Sequence, residues 1–434
     1  MINIICKIND EDDKFELREK HEILYAQKEK ENNKNIFHTF FEVIKKKSLP
    51  NFCSYEALDL YYISIFVFSA DRIIKRKNFN DGWTRKIKLY IPILEIEKFK
   101  INKDLIEKML TFLSGDIWEL EFRKRELNVY EKKIEKTIKK NKKDLNIDII
   151  SMFSGGLDSY IGAIDLLEQQ KKVIFVSHSG GGKGVKEYQD VLIEQITNNY
   201  SISTDNFFQF HARATKGKED TTRTRSFMFF AHAIAVASTF NKKIELYIPE
   251  NGLISLNIPI TSARNGSSST RTTHPYYLKL LQTLLNKLDL PILLINPYQF
   301  KTKGEMIKEC KNINFLKDNL HNTMSCSHPD NGRYRSEKKT CHCGTCIPCV
   351  IRRASIKYSG LKDTSIYYDP KFKKGKQAKS NFTAYILGIT AYQQSKTNFF
   401  KIQKSGPLKN NLKEYCNLYE RGMEEFITLI KEFL

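Results

Sequence analysis

The run from Leu145 to Ser159 constrains this chain more than any other stretch. Leu145–Phe153 is a continuous apolar segment of strand length, and Ser154-Gly155-Gly156-Leu157-Asp158-Ser159 follows it at once. Helical spacing then runs from Tyr160 to Gln170. Strand, glycine-rich turn and helix start, in that order, make an anion site. The glycines let the backbone come close, and unpaired N–H groups of the first helical turn point at the ligand. Ser154 and Ser159 add hydroxyl donors. Asp158 would repel a bare phosphate, so it makes sense as a Mg²⁺ ligand whose metal bridges phosphate oxygens. No Lys-Ser/Thr follows at the Walker spacing. The alternative, a tight turn of chance composition, accounts poorly for Ser-Gly-Gly-x-Asp-Ser placed directly behind an apolar strand.

Beyond the turn, apolar strands alternate with helices: Lys172–Ser177, then helix Lys183–Asn198; Phe207–Ala212, then the Ala-rich helix Phe227–Phe240; then Ile244–Pro249 and Pro291–Asn296. That alternation predicts an α/β fold, a parallel sheet with helices on both faces. Ligands of such sheets sit beyond the C-terminal strand ends, where strand order reverses. Arg223 and Arg225 immediately precede the Phe227 helix, where a guanidinium can grip phosphate oxygens; Arg225 is the better placed. Ser177 and His178, at the second strand's end, would border an adenosine, although a histidine there is also an ordinary strand-end residue.

The flanks read differently. Residues 1–143 form an N-terminal α+β extension with both tryptophans, Trp83 and Trp118, a helix over Tyr55–Ile74, a strand over Lys86–Ile93 and a helix over Leu105–Leu113, followed by a Ser114-Gly115-Asp116 turn. The Lys-rich run 132–143 is a solvated helix face or a linker. The expected division is 1–143, a core at 144–325, a cysteine knuckle at 326–358 and a helical tail at 359–434, with helices over Asn381–Gln394 and Asn411–Phe433. The net charge of +21 admits a nucleic-acid partner. Lysines spread along a chain rich in Asn, Ile, Tyr and Phe account for it equally well, so that partner is not favoured. No stretch reaches the roughly 18 apolar residues of a membrane span, and the first residues lack signal-peptide order. A cytoplasmic protein without membrane partners is expected, with self-association left open.

Nine cysteines in such a compartment read as thiols or metal ligands. Cys343, Cys346 and Cys349 have knuckle spacing, and Cys326 supplies a fourth sulfur. Four thiolates suit a closed, structural Zn²⁺ site. An iron–sulfur cluster uses the same ligand type, Cys341 is a spare thiol or an alternative ligand, and His328 and His342 are less suited.

Two motifs then combine. The Ser154–Ser159 loop resembles that of ATP pyrophosphatases, which split ATP between the α- and β-phosphates. With Met324-Ser325-Cys326 and Cys343-Gly-Thr-Cys346-Ile-Pro-Cys349-Val-Ile-Arg352-Arg353, it resembles the 7-cyano-7-deazaguanine synthase (QueC) family over roughly residues 148–358. Thr302-Lys303-Gly304-Glu305-Met306 and Arg225 resemble further parts of that family's pattern. The wording around Asp71-Arg72, Trp83–Lys86, Pro249–Leu253 and Arg271–Pro275 departs from the housekeeping synthases. It resembles the QueC-like proteins of antiphage operons, those of the Qat system first and those of cyclic-oligonucleotide (CBASS) systems second.

The resemblance implies a Rossmann-like fold of the adenine nucleotide alpha hydrolase type and an adenylate-forming ligase that uses ATP, Mg²⁺ and Zn²⁺. The acid would be 7-carboxy-7-deazaguanine; the acceptor would be ammonia or a protein amine, such as the N-terminus of an operon partner. Ser154, Gly155, Gly156, Leu157, Asp158 and Ser159 would hold pyrophosphate and Mg²⁺, with Ser177, His178 and Arg225 around the nucleotide. Arg225 and Lys303 would stabilise charge on the phosphates. Asn257, Arg271, Thr272 and His274 would line the acid's pocket, His274 being a base for the amine or a structural residue before Pro275. Cys326, Cys343, Cys346 and Cys349 would hold zinc. A tRNA-modifying enzyme with the same loop, and a nucleotide-binding scaffold without turnover, are the competing expectations.

Overall fold

The computed structural model describes residues 1–9, 12, 15–26, 36–180, 183–215, 217–219, 221, 223–260, 271–334, 339–395 and 398–434. Among these residues ten strands form two sheets. β1 (Ile2–Lys7), β2 (His21–Tyr25), β4 (Lys86–Ile93) and β5 (Ile117–Lys124) make the first, in the order β2-β1-β4-β5. β3 (Ile36–His38), β6 (Ile149–Met152), β7 (Val173–Ser179), β8 (Phe207–Ala214), β9 (Ile244–Tyr247) and β10 (Ile292–Ile295) make the second, in the order β10-β9-β6-β7-β8-β3.

Five strands of the second sheet run parallel, as the alternation predicted, and β3 closes the β8 edge antiparallel. Side-chain alternation sends the two faces into two cores. Ile150, Met152, Ile174, Val176 and Phe208 join the core under the helix Arg225–Ser238. Ile149, Phe153, Val173, Phe175 and Phe207 join the core under the helices Leu157–Glu168 and Lys183–Tyr200. Helices thus cover both faces.

The N-terminal segment differs from its expected α+β character, since its sheet is wholly parallel. Parallel neighbours need crossover connections, and between β4 and β5 helices supply one. The helices Ile96–Ile101 and Lys103–Ser114 connect β4 to β5, and Gly115, at φ +75°, ends the second of them. Helix Tyr55–Ile73 is buried at every position from Ala57 to Asp71. One apolar core runs from Ile4 through this helix to Ile292, so the N-terminal sheet and one face of the second sheet share their interior.

Two Asp residues inside that helix are satisfied by N–H and hydroxyl groups. Asp59 accepts from the backbone of Leu94 and Glu95 at 2.8–2.9 Å, and burial pushes its carboxyl up to about 7. At the C-terminus the helices Lys376–Gln393 and Leu412–Ile430 pack with helices Gly252–Leu256 and Ile347–Ser359 in a third core.

Candidate active site and four-cysteine centre

β6 is where strand order reverses: β7 and β8 lie to one side, β9 and β10 to the other. The Ser154–Ser159 turn leaves β6 at that reversal. Gly155 adopts φ +80°, and a Cβ there would come within 2.8 Å of Gln189 Cγ, so both conformation and space require glycine. Gly156 caps helix Leu157–Glu168. The two hydroxyls fix the turn from within. Ser154 N donates to Ser159 Oγ at 3.2 Å, Ser159 Oγ donates to Gly156 O at 3.0 Å, and the two Oγ atoms lie 3.1 Å apart. The Gln189 side chain, absent from the sequence reading, donates to Ser154 O at 3.0 Å and to His178 O at 3.4 Å, tying the turn to the end of β7.

Asp158 lies on the first turn of that helix and is buried. Lys303 Nζ stands 2.6 Å from its Oδ1, and Asn251 donates to its Oδ2 from Nδ2 at 2.7 Å and from the backbone at 3.1 Å. Lys303 is held there because Thr302 and Glu305 form a capping box at the start of helix Lys303–Lys308. Glu250, just past the end of β9, shares the Asn251 amide at 3.1 Å. Burial pushes Asp158 up, but Lys303 and the hydrogen bonds from Glu250 and Asn251 outweigh it and hold the carboxyl below its ordinary range. Glu250 goes well above its range through burial and then the Asp158 charge. Glu250 therefore keeps the proton that Asp158 gives up. Sequence reasoning quoted Glu250 but gave it no role; its position directly after an apolar strand beside the reversal was the available signal.

Arg225, Ser177 and His178 gather at the end of β7. A Cβ on Gly180 would stand 3.6 Å from Arg225 Nε and 3.4 Å from His178 Cε1. Among the described residues Arg225 has neither a carboxylate nor a hydrogen-bond partner, and burial alone lowers its pKa. A guanidinium desolvated without a counter-charge suits an anion. Burial and then Arg225 push His178 well below its usual value, so it is neutral. Ser177 Oγ and both His178 ring nitrogens are buried without a hydrogen-bond partner among the described residues. Arg223 points elsewhere, donating to Ser114 O at 2.6 Å and stacking 4.7 Å from the Trp83 ring.

The expected acid-pocket residues form a second group. Arg271 donates to Phe112 O at 2.8 Å and lies over the Phe112 ring at 4.7 Å. His274 packs edge-on against the same ring, and Gly406 closes over both, with no room for a side chain. Asn257, at φ +50°, ends helix Gly252–Leu256 and accepts from Ser405 Oγ. Thr272 is half-buried beside Thr273, whose hydroxyl accepts from Ser255 at 3.1 Å. His274 caps helix Pro275–Lys287 by accepting the Tyr276 N–H on Nδ1, and burial followed by Arg271 lowers its pKa to about 3. A neutral imidazole that accepts on Nδ1 carries its proton on Nε2. That tautomer makes His274 a donor, so the expected base role does not fit this arrangement.

The sulfurs of Cys326, Cys343, Cys346 and Cys349 all lie within 4.8 Å of one another and could hold a metal ion. Backbone N–H groups of His328, Cys343 and Cys346 donate to sulfur at 3.3 Å, which favours charged thiolates. Gly344 makes the turn at φ +86°. Cys341 is buried and stands outside the set.

Neither the family models nor the curated proteins searched match this chain.

Further residues brace the centre. His342 bridges Cys349 Sγ at 3.9 Å and Thr323 O at 3.2 Å. Arg352, fully buried, donates to Thr323 Oγ1 at 2.6 Å and Leu320 O at 2.7 Å, and Arg353 donates to Gly344 O at 3.1 Å. Two residues before Cys326, Met324 N donates to Gly155 O at 2.9 Å. The thiol centre and the glycine turn are thus one hydrogen bond apart. The tail braces the other side, where Glu425 accepts from Thr302 Oγ1 and, at 2.9 Å, from Ser355 Oγ.

Proposed function

We propose that this chain is an ATP-dependent, adenylate-forming enzyme of the 7-cyano-7-deazaguanine synthase type that serves an antiphage operon, of the Qat kind before the CBASS kind. Its acid is 7-carboxy-7-deazaguanine, and the acyl group passes to ammonia or to a protein amine of an operon partner in the cytoplasm. The observation that carries the reading is the buried Asp158–Lys303 pair on the glycine turn at the reversal of strand order. Arg225 at the neighbouring strand end, without a partner among the described residues, supports it. Numbered from β6 along the chain, the parallel strands have the order 3-2-1-4-5, which favours a Rossmann-like core.

In this reading the turn's N–H groups and the Ser154 and Ser159 hydroxyls bind the β- and γ-phosphates. Asp158 and Glu250, the latter in its deprotonated form, would hold Mg²⁺, which would neutralise charge on the phosphate oxygens. A carboxylate oxygen of the acid forms a bond to the α-phosphorus, the bond from that phosphorus to the bridging oxygen breaks, and pyrophosphate leaves. Lys303 and Arg225 offset the charge that builds during this displacement. An amine then attacks the acyl carbon and AMP departs. Ser177 and His178 border the nucleotide, and Asn257, Arg271, Thr272 and His274 shape the acid's pocket. Zn²⁺ on Cys326, Cys343, Cys346 and Cys349 would act structurally, keeping Met324 against the turn. The mutual closeness of the four sulfurs disfavours a sulfur-transferring tRNA enzyme, which needs an exposed thiol.

The test is incubation with ATP, Mg²⁺ and 7-carboxy-7-deazaguanine, with and without the operon's other proteins, followed by mass spectrometry. AMP, pyrophosphate and either a nitrile product or added mass on a partner are expected. Acid-dependent AMP release that persists undiminished in Asp158→Ala would refute the adenylation mechanism.

A further inference from the structure

Arg225 stands on the first turn of its helix, and the described residues leading into it are held from outside the second sheet. Lys218 N and Glu219 N both donate to Arg72 O, at 2.7 and 2.8 Å. Arg72 Nη1 donates to Thr221 O at 3.2 Å, and Arg76 N donates to Glu219 Oε2 at 3.1 Å. At Asp71 the hold becomes specific. Its Oδ2 accepts from Thr224 Oγ1 at 2.8 Å, from Thr221 Oγ1 at 3.3 Å and from Thr224 N at 3.4 Å. Thr224 is the residue immediately before Arg225, and its hydroxyl makes no cap to its own helix.

Asp71 is itself immobilised. It pairs with the fully buried Arg85, whose guanidinium also binds Asp116 at 2.6 and 3.1 Å, while Arg76 closes the other side of Asp116 at 2.8 and 2.9 Å. Two carboxylates and two guanidiniums with their donors satisfied make a rigid buried network. A network of this kind costs desolvation and is better suited to fixing geometry than to adding stability. What it fixes is the entry of a helix whose first side chain is an uncompensated guanidinium.

We propose that Asp71 and Thr224, 153 positions apart, are positioning residues that set the direction of Arg225, so the N-terminal segment is part of the phosphate site. The inference rests on the reading of Arg225 as a phosphate ligand. A guanidinium gives its fork of hydrogen bonds only over a narrow range of directions, so small displacements at its root are costly.

The experiment uses the full-length chain and inorganic pyrophosphate as the probe, with binding followed by calorimetry and KM for ATP measured in parallel. Thr224→Val removes the hydroxyl and leaves the Arg85–Asp71–Asp116–Arg76 network intact. It should weaken pyrophosphate binding and raise KM for ATP by about tenfold, the size of one lost charge-assisted hydrogen bond, while the thermal midpoint stays near wild type. Thr224→Ser should restore both. Arg225→Ala is the reference, and Thr221→Val is a second, milder variant in the same set that should show a smaller loss. If Thr224→Val binds pyrophosphate as wild type does while Arg225→Ala does not, or if Thr224→Ser fails to restore binding, the positioning role is overturned. If Arg225→Ala itself leaves pyrophosphate affinity unchanged, the phosphate role of Arg225 falls and the positioning role with it.

Discussion

Lys303→Met isolates the electrostatics of the Asp158 site. Methionine keeps the apolar stem and deletes the ammonium 2.6 Å from Asp158 Oδ1, in a pair whose side chains are each 7% exposed. Removing one partner of a buried pair costs about 3–5 kcal/mol. Asp158 retains the Asn251 Nδ2 and N donors at 2.7 and 3.1 Å, which supports the low end of that range. It can also escape by taking up a proton, which for a carboxyl of ordinary pKa costs about 4 kcal/mol at pH 7. The expected loss is therefore about 3 kcal/mol at pH 7, read from urea unfolding followed by circular dichroism.

The pH dependence has a definite sign. In the wild type Lys303 holds Asp158 below its ordinary pKa, so its contribution is present above about pH 4 and is lost as pH falls through the lower folded value. In Lys303→Met burial is opposed only by the hydrogen bonds from Glu250 and Asn251, so the folded pKa rises. The deficit should then be greatest at pH 7 and shrink toward pH 5. Asp158→Asn combined with Lys303→Met should recover about 2–3 kcal/mol relative to the sum of the single variants, without recovering AMP formation. Additive single effects, or a pH-independent loss under about 0.5 kcal/mol, would refute the pairing.

Three further outcomes follow from the same geometry. Metal analysis should find one ion per chain, abolished in Cys349→Ser and retained in Cys341→Ser, and a chelator should lower the thermal midpoint; equal metal loss in both variants would contradict the four-sulfur set. Burial lowers His38 to about 4 and His232, His274 and His342 to about 3, and it also lowers His178 well below its ordinary value. Their unfolded forms bind protons first, so stability should fall as pH drops below about 6.5, by up to about 1.4 kcal/mol per pH unit for each histidine, with His232→Phe flattening the fall in acid titrations monitored by fluorescence. Glu425→Ala should cost about 1–3 kcal/mol by leaving Thr302 and Ser355 without their acceptor, and should lower AMP formation through the Lys303 turn; unchanged unfolding would exclude that brace.

The glycine turn, the alternating strands and helices and the Cys343-x-x-Cys346-x-x-Cys349 spacing were legible because each depends on neighbours within about ten residues. Gly155 had to be glycine for its φ and its contact with Gln189, and Cys343, Cys346 and Cys349 are brought together by one tight turn at Gly344. The wholly parallel N-terminal sheet was not legible: β1 and β2 are short, and their pairing depends on crossovers that no local pattern records. His274 could be suspected from residue type, but its tautomer follows from one backbone N–H that only the folded helix presents.

The sequence alone therefore determined the pieces that local backbone chemistry dictates: the glycine turn, the strand-helix alternation and the thiol knuckle. The tertiary structure decided which charges meet. Asp158 faces Lys303 and Glu250, Arg225 lacks a partner among the described residues, Arg223 turns away to Ser114, and Asp71 reaches Thr224. Charge pairing depends on distance in space and on burial, and neither can be read from residues more than a hundred positions apart until the chain has folded around them.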